Sequence, residues 1–572
     1  MTSTVTGNLL RSLAALAVGL CLGSTALAQT ANPKDYPTLS DKELGQIRHL
    51  IKLSNNLPGD WAGFGGNGEW EATEHHLQFH SSFAIMALAM AQQQQTPAYR
   101  EWYKKAIQNY IKKLTHVDIW ERWGAMSSRG GSFGRQQQGF QPGWFDPVGK
   151  DNNMYKGYLA MSGTLYEMLY GDARYQQPGA FTFKQRYYAF SNGRITFRYT
   201  LDDIVKNLHQ EVVDSNYLGA ACEPGLYYWA CNGASNAVFI LYDHLHGTHY
   251  ADVVPKVKEA WIRNGGLNPA TFTVGMEIQT KLDDRTKVVA VVPAVFPYSS
   301  AYSGPWSGLF NNAWDSAFVK AAYYGPDGID RNEALKYYLS GDWARSQVDP
   351  TRYSDRWQLL IKAYNAAPAD LAPPAFKSLY WGFFLAYAAE VGDREGVNKM
   401  LDYAERNYGP VWENGEYFYP RSDDYSVDAQ GNTHGLTGWT GNVLLTLGRL
   451  DKGDGFRKLY QQPWTDAERN TPEITGIDSA TTNVSQAWWD ASKKALIVTL
   501  QPGPIKAPQT SFSVIRLDPN RHYSVSLDGK AIGTIAPGGT LAKGAIRWKS
   551  DTLSVSGRLP AKHSWVFVES GA

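Results

Sequence analysis

The chain has 572 residues, with 55 Lys and Arg against 54 Asp and Glu, so its formal net charge at pH 7 is +1. This length allows several domains. The balanced charge shows neither the basic stripe expected of a nucleic-acid-binding protein nor an acidic solvating tail. No apolar run after the N-terminal segment is long enough to span a membrane, so no stable membrane insertion is expected.

The N-terminal segment has the three parts of a secretory signal. Arg11 precedes the small and apolar run LAALAVGLCLGSTALA, which ends in an A-x-A-like site at Ala28. The alternative, an uncleaved membrane anchor, is disfavoured because the run is shorter than the roughly 20 residues that a spanning helix needs. We therefore expect residues 1–28 to be a signal peptide cleaved after Ala28, and the mature chain to be periplasmic. Cys21 leaves with the signal.

The segment from about Leu39 to Tyr460 has a helical apolar period. Some stretches, such as HHLQFHSSFAIMALAMAQ and MYKGYLAMSGTLYEMLYG, are apolar on nearly all sides, whereas YREWYKKAIQNYIKKL has one apolar face. About a dozen such stretches alternate, with long Gly/Trp/Pro-rich connections. The pattern predicts a mainly α protein, with an (α/α)6 barrel, a toroid of helical hairpins, over residues 29–465.

After Pro463 the apolar period changes to two, as in ALIVTLQPG and HYSVSLDGK, with DPN, DGK and PGG turns between the runs. Residues 470–572 are therefore predicted to form a small all-β, sandwich-like domain. It has few clustered ionisable groups. A support or lid packed on the barrel is favoured over a separate carbohydrate-binding module.

The stretch EATEHHLQFHSSF opens an apolar helix with two acids and three histidines. His76 and His80 are four residues apart and share a helix face. A metal site needs a third ligand, and no other His/Asp cluster supplies one, so no metal is predicted. Partly buried or capping histidines remain one interpretation, and acid–base chemistry by a group that titrates near neutrality is the other.

The stretch WFDPVGKDNNMYKGYL combines a turn at Asp146 with a helix that is predicted to start near Asn152 or Asn153. Met154 and Tyr158 lie on one face at the start of that helix. A tyrosine in such a place is more often part of the core than catalytic.

The stretch CEPGLYYWACN holds Cys222 and Cys231 around a Glu-Pro-Gly turn. In an oxidising compartment the two could form a disulfide, which would stabilise the fold by roughly 2–3 kcal/mol. The spacing is not that of a metal site. A reactive role is the third possibility, because Cys231 precedes Asn232, a predicted N-cap, and a helix N-terminus favours the thiolate.

Three segments together, CEPGLYYWACN, the upstream DNNMYKGYL and the downstream GWTGNVLLTLGRLDKGDGFRKLY, resemble the linalool dehydratase/isomerase family. The resemblance implies an (α/α)6 barrel with a buried apolar pocket. It also implies cofactor-free acid–base chemistry on a small hydrophobic alcohol or alkene, by dehydration, hydration or allylic isomerisation. The aromatic content of 13%, with 20 Trp and 34 Tyr, is suited to such a lining as well as to sugar rings.

The resemblance also assigns site residues. It implies that Cys222 and Cys231 face the substrate hydroxyl and that Met154 lines the pocket. Tyr158 stands where the family has a histidine, and His76 where it has a tyrosine, while Glu74, Glu71 or Glu69 stands in for the family aspartate. The predicted catalytic residues are Cys222, Cys231, His76, Tyr158 and Glu74; the predicted substrate-binding residues are Met154, His80, Glu223, Trp229 and Tyr298. A homo-oligomer is possible.

Two other functions remain open. The layout also fits a carbohydrate-active hydrolase or lyase, although fold alone does not decide function. A hydrolase would need two carboxylates about 5–5.5 or 6.5–9.5 Å apart. Candidate carboxylates are Glu223, Glu74, Asp146, Asp315 and Asp424. The third possibility is a non-catalytic periplasmic binding protein in which the two cysteines are a plain disulfide.

Overall fold

The computed structural model describes residues 31–64, 76–128, 142–185, 195–294, 296–298, 304–325, 328–339, 373–420, 441–543 and 545–570. The expected signal peptide lies outside these residues. Within these ranges, no helix combines the length and the apolar character that crossing a membrane requires.

Helices make up most of the described residues before Glu473. They are α1 (Asp41–Ser54), α2 (His76–Gln94), α3 (Glu101–Leu114), α4 (Val117–Trp120), α5 (Trp123–Met126), α6 (Asn153–Tyr170), α7 (Leu201–Asp214), α8 (Trp229–His246), α9 (Val254–Arg263), α10 (Gly304–Asn311), α11 (Ser316–Tyr324), α12 (Ile329–Leu339), α13 (Pro373–Glu390), α14 (Arg394–Asn407), α15 (Asn442–Leu450), α16 (Gly455–Gln461) and α17 (Asp466–Arg469). Short 3-10 helices cover Pro33–Asp35, Ala173–Gln176 and Tyr250–Val253.

Six of these helices pack in cyclic order. Helix α2 packs on α6, α6 on α8, α8 on α10, α10 on α13, α13 on α15, and α15 again on α2. Helices α1, α3, α7, α11 and α14 pack on the outside of this ring. The described part of the chain is thus a closed ring of inner helices within an outer layer.

Sequence explains which helices are inside. In α2 every residue from 78 to 93 is buried, because an inner helix has packing partners on all sides and needs apolar or small residues around its whole circumference. In the outer helix α3, Tyr103, Ile107 and Tyr110 are buried while Glu101 and Lys105 are exposed. The predicted distinction between apolar and amphipathic helices is confirmed.

Helix α16 closes one end of the ring. It packs on α2, α8, α10 and α13, and its Phe456 ring lies 5.0 Å from that of Phe310. Its first backbone N–H groups are capped by Glu390, which accepts from Phe456 N at 2.7 Å and Arg457 N at 2.9 Å. Burial raises the pKa of the Glu390 carboxyl well above its usual value. Helix α16 thus fills the end of the ring at which α2, α10 and α13 terminate.

Short strands occur in the connections between the helices. They are β1 (Phe181–Lys184), β2 (Thr196–Tyr199), β3 (Leu226–Tyr228), β4 (Leu267–Asn268), β5 (Thr273–Val274), β6 (Glu277–Thr280), β7 (Val288–Val291), β8 (Phe296–Pro297), β9 (Val411–Glu413) and β10 (Glu416–Phe418). Strands β3, β6 and β7 form one antiparallel sheet, in which Tyr228 pairs with Glu277 and Leu226 with Gln279. This sheet bears on the site described below.

Ten strands follow the last helix. They are β11 (Glu473–Thr475), β12 (Thr482–Asp490), β13 (Ala495–Pro502), β14 (Gln509–Ile515), β15 (His522–Leu527), β16 (Lys530–Ile535), β17 (Thr540–Leu541), β18 (Ile546–Lys549), β19 (Thr552–Arg558) and β20 (His563–Ser570). They form two five-stranded sheets, with strand orders β11-β14-β19-β18-β17 and β12-β13-β20-β15-β16. Buried and exposed residues alternate along β14 and β19, as the period of two predicts.

The β module packs against the C-terminal ends of the inner helices. Trp488 Nε1 donates to Gln95 O at 2.8 Å, and Ala98 N donates to Ala487 O at 3.0 Å. A cleft of about 790 Å³ remains between the two parts and is lined by Trp464 and Trp489, among others. The module therefore lies beside the end of the ring at which α16 packs.

Candidate functional site

Cys222 and Cys231 lie together where the chain enters helix α8. The turn between them is closed by Cys222 N donating to Leu226 O at 2.8 Å and Leu226 N donating to Glu223 O at 2.9 Å. Gly225 has φ +76°, and a Cβ there would lie 2.9 Å from Thr280 O, so both the conformation and the close approach require glycine. The two sulfurs are 3.1 Å apart, and both thiols are free and buried.

Asn232 holds the cysteine-bearing segment against α8. Its Oδ1 accepts from Ala220 N at 2.8 Å, and its Nδ2 donates to Ala220 O at 3.2 Å and to Tyr228 O at 3.0 Å. The prediction that Asn232 is the N-cap is wrong, because the helix begins at Trp229. The carboxamide is needed for the tertiary contact instead, and Cys231 lies within the first turn of the helix.

Helix α6 is fixed to the same segment by its backbone. Asn152 N donates to Cys222 O at 3.1 Å, and Asn153 N donates to Ala221 O at 2.9 Å. The helix begins at Asn153, as predicted. These bonds set the register between the thiols and the first turns of α6, which carry Met154 and Tyr158.

The surroundings of the two thiols are apolar. Cys222, Cys231, Leu226 and Tyr228 form one buried cluster, and Met154 and Met276 pack against it. Burial, followed by the Cys231 thiol, raises the pKa of Cys222 well above its usual value. Near neutral pH Cys222 is therefore a protonated thiol, and it donates to the Cys231 sulfur.

Tyr158 lies on the inner face of α6 within a group of aromatic rings. Its ring centroid is 5.5 Å from that of Phe79 and 5.7 Å from that of Phe310, and Trp306 Nε1 donates to its hydroxyl at 2.8 Å. Burial raises the pKa of Tyr158 far above its usual value, and the neighbouring Cys231 raises it further. The phenol is thus neutral and coupled electrostatically to the cysteine pair.

A buried carboxylate that sequence analysis missed lies beside this cluster. Glu277 is 1% exposed. Its Oε2 accepts from the Tyr228 hydroxyl at 2.9 Å, and its Oε1 accepts from Gln279 Nε2 at 2.6 Å. The alternation of GMEIQT could have placed Glu277 and Gln279 on one strand face. Their proximity to Tyr228, 49 residues away in sequence, has no signal in a single sequence.

Three further predicted pocket residues, Glu223, Trp229 and Tyr298, lie in two different places. Glu223 is buried in the turn between the cysteines. Trp229 Nε1 donates to the Tyr298 hydroxyl at 3.2 Å, and the Trp229 ring packs 5.4 Å from that of Trp261. Trp229 and Tyr298 therefore contact each other within the helical core, and neither belongs to the cysteine cluster.

The histidine-rich segment is described only in part. Glu69, Glu71 and Glu74 lie outside the described residues, and of His76 only the backbone, the first residue of α2, is described. The His80 ring is buried with its centroid 4.7 Å from that of Phe64. Within the described ranges, no three His, Cys, Asp or Glu side chains are grouped as metal ligands would be.

Two of the carboxylates considered for a hydrolase, Asp146 and Asp315, bond to other groups of the protein. Asp146 accepts from the Tyr199 hydroxyl and from Val148 N, as a turn residue does. Asp315 forms an ion pair with Lys258. Asp424 and Glu74 lie outside the described residues.

Comparison with known proteins decides the family. The model of the linalool dehydratase/isomerase family matches residues 78–425. The chain belongs to the linalool dehydratase/isomerase family. The matched segment includes Met154, Tyr158, both cysteines and Glu277, and it ends before the β module begins at Glu473. Family membership and the apolar dithiol site are the two findings on which an activity can be argued.

Three solved structures are distantly similar to this chain. The GH76A α-1,6-mannanase of Salegentibacter sp. HEL1_6 is 9% identical, with 72% of this chain and 98% of that chain covered and a TM-score of 0.37. The unsaturated glucuronyl hydrolase of Bacillus sp. GL1 is 11% identical, with 72% and 95% covered and a TM-score of 0.37. A GH127 β-L-arabinofuranosidase of Geobacillus stearothermophilus T6 is 10% identical, with 93% and 76% covered and a TM-score of 0.25. At such values we infer nothing about substrate from these proteins.

Proposed function

We propose that this chain is a cofactor-independent lyase/isomerase that dehydrates, hydrates or isomerises a terpene-like allylic alcohol. The observation that carries the proposal is the free, buried pair Cys222 and Cys231, 3.1 Å apart, in an apolar cluster beside the first turns of α6 and α8. The cyclic contact order of the inner helices supports an (α/α)6 barrel as the scaffold. The mature enzyme is proposed to act in the periplasm after removal of residues 1–28.

The chemistry follows from the leaving group. Hydroxide is too poor a leaving group to depart unprotonated, so an acid must protonate the alcohol oxygen before the C–O bond breaks. A base must then remove a proton from a carbon beside the allylic cation, which yields the alkene and water. Because Cys222 donates to the Cys231 sulfur, the Cys231 S–H is the proton that remains for the substrate oxygen.

The aromatic rings around Tyr158 would stabilise the cationic intermediate. Tyr158 is surrounded by Phe79, Phe83 and Phe310, with ring centroids at 5.4–5.7 Å. Ring faces attract positive charge, and a dry lining slows capture of the cation by water. The Trp306 N–H holds the Tyr158 oxygen at 2.8 Å, so the phenol is fixed as a neutral hydrogen-bonding group.

The test is turnover of a substrate panel without added cofactor. The purified, reduced chain is incubated with tertiary and primary allylic alcohols and, in parallel, with oligosaccharides, and the products are separated by chromatography. We expect an alkene or a rearranged alcohol from at least one member of the first group. Cleavage of an oligosaccharide, with no product from any alcohol, would refute the proposal in favour of a carbohydrate-active enzyme.

Tyr158→Phe probes the phenol with a matched control. The control is Tyr338→Phe on α12, because the buried Tyr338 hydroxyl has no hydrogen-bond partner among the residues that the structure describes. We expect Tyr158→Phe to lower kcat at least tenfold and Tyr338→Phe to leave it unchanged. Equal activity of both variants would remove Tyr158 from the mechanism.

A further inference from the structure

The sheet formed by β3 and β6 presents four side chains on one face. Tyr228 pairs directly with Glu277, and Leu226 pairs with Gln279. Directly opposed residues of an antiparallel pair share a face, and residues two apart on a strand do as well. Leu226 and Tyr228 belong to the cluster that contains the thiols. Glu277 and Gln279 therefore lie on the face of the sheet that is turned toward the cysteine site.

Glu277 is held there by two uncharged hydrogen-bond donors. It is 1% exposed and Gln279 is 4% exposed. Each carboxylate oxygen has one hydrogen bond, from the Tyr228 hydroxyl at 2.9 Å and from Gln279 Nε2 at 2.6 Å. Among the residues that the structure describes, no cationic side chain forms an ion pair with Glu277. Burying a carboxylate in this way is costly.

We propose that Tyr228 and Glu277 form a proton relay for the cysteine site, with Tyr228 as a catalytic residue and Glu277 as a positioning residue that stores the proton. The relay rests on the proposed dehydration or isomerisation. In this relay Glu277 takes the place of the acidic residue for which sequence analysis named Glu69, Glu71 and Glu74. The Tyr228 hydroxyl donates to Glu277, so toward the substrate its oxygen is an acceptor.

The proton balance of the cycle closes with these groups. Cys231 gives its proton to the alcohol oxygen, the C–O bond breaks, and water and an allylic cation form beside a thiolate. A C–H bond next to the cation breaks, its electron pair becomes the new C=C bond, and its proton goes to the Tyr228 oxygen. The Tyr228 proton moves at the same time to Glu277 Oε2, over the 2.9 Å contact. Return of that proton through Tyr228 to the Cys231 thiolate restores the resting state.

The kinetic test uses Tyr228→Phe, Glu277→Gln and the double variant. Matched controls are Tyr338→Phe and Glu390→Gln; Glu390 is also a fully buried carboxyl, but it caps α16 at the closed end of the ring. Both site substitutions keep the shape of the side chain. General acid–base groups contribute about 10²–10⁴-fold, so we expect each single variant to lose kcat by about that factor.

A relay also predicts how the losses combine. KM should change by less than about threefold, since the pair acts on the chemical step, and the double variant should be no slower than the slower single one, because the two groups act as a unit. Losses that multiply in the double variant, a change in KM alone, or unchanged kcat would overturn the relay.

A spectroscopic test does not depend on turnover. The infrared carboxyl band of Glu277, identified as the difference between the wild-type chain and Glu277→Gln, should shift in Tyr228→Phe and not in Tyr338→Phe. An unshifted band would overturn the pairing. The two failures are distinguishable: a wild-type chain that converts no alcohol refutes the proposed function and the relay with it. Normal turnover in Glu277→Gln refutes the relay alone.

Discussion

Asn232→Ala is the sharpest test of how the cysteine pair is held in place. The substitution removes three hydrogen bonds that the carboxamide makes to the backbone of the cysteine-bearing segment and the preceding strand, at 2.8, 3.2 and 3.0 Å. Asn232 is 1% exposed. The Ala220 N–H would lose its partner in a site that water does not reach, at a cost of about 1–3 kcal/mol.

The two carbonyl oxygens that lose a donor, those of Ala220 and Tyr228, add about 0.5–1 kcal/mol each. The expected total is about 2–5 kcal/mol of unfolding free energy. Urea unfolding measures it as a lower midpoint with an unchanged slope. Alkylation of the thiols should become faster at the same time, because the segment that carries Cys222 is no longer fixed to α8.

Asn264→Ala is the matched control. Asn264 is partly buried at the end of α9, where its Nδ2 makes one bond, to Ala260 O at 2.8 Å. We expect a loss within about 0.5 kcal/mol. A loss below about 1 kcal/mol in Asn232→Ala, or thiols no more reactive than in the wild-type chain, would show that the carboxamide does not hold the site.

Two other predictions concern stability. Gly225→Ala should lower the unfolding free energy in urea by more than about 2 kcal/mol, because φ is +76° and the new Cβ would meet Thr280 O at 2.9 Å. Gly247→Ala is the control, with φ +65° and nothing within 4 Å of the new Cβ, and should lose only about 1 kcal/mol. Equal losses would refute the steric argument. Burial raises the pKa of Glu211 from 4.5 to about 7 in spite of Lys156. The folded state therefore binds this proton more tightly than the unfolded state, and stability should fall by up to about 3 kcal/mol as pH rises from about 4.5 to about 7. Glu211→Gln should flatten this part of the pH profile, and an unchanged profile would contradict the assignment.

The sequence was informative wherever a local period decides the structure. Inner helices such as α2 are apolar around their whole circumference, and the change of period after Pro463 precedes the first strand of the β module at Glu473. The start of α6 at Asn153 could also be predicted. Asparagine tolerates the left-handed backbone conformation, and Asn152, just before the helix, adopts it with φ +62°.

The site could be predicted only where the residues are close in sequence. Cys222 and Cys231 are nine positions apart around a Glu-Pro-Gly turn, which allows the two thiols to meet. Glu277 could not be found, because only the pairing of β3 with β6 brings it to Tyr228. Asn232 was misassigned as an N-cap because an asparagine at the start of a helix has the same local pattern whether its carboxamide caps the helix or bonds to a neighbouring segment.

The most direct test of the central claim is turnover of a tertiary allylic alcohol by the reduced wild-type chain and by the Cys222→Ser, Cys231→Ser double variant, with no cofactor added. We expect the wild-type chain to form an alkene or a rearranged alcohol, and a mild reductant to increase this activity. The folded double variant should form at least a hundredfold less product. Product formation by the double variant at the wild-type rate would contradict the account, because the buried thiol pair would then have no part in the chemistry.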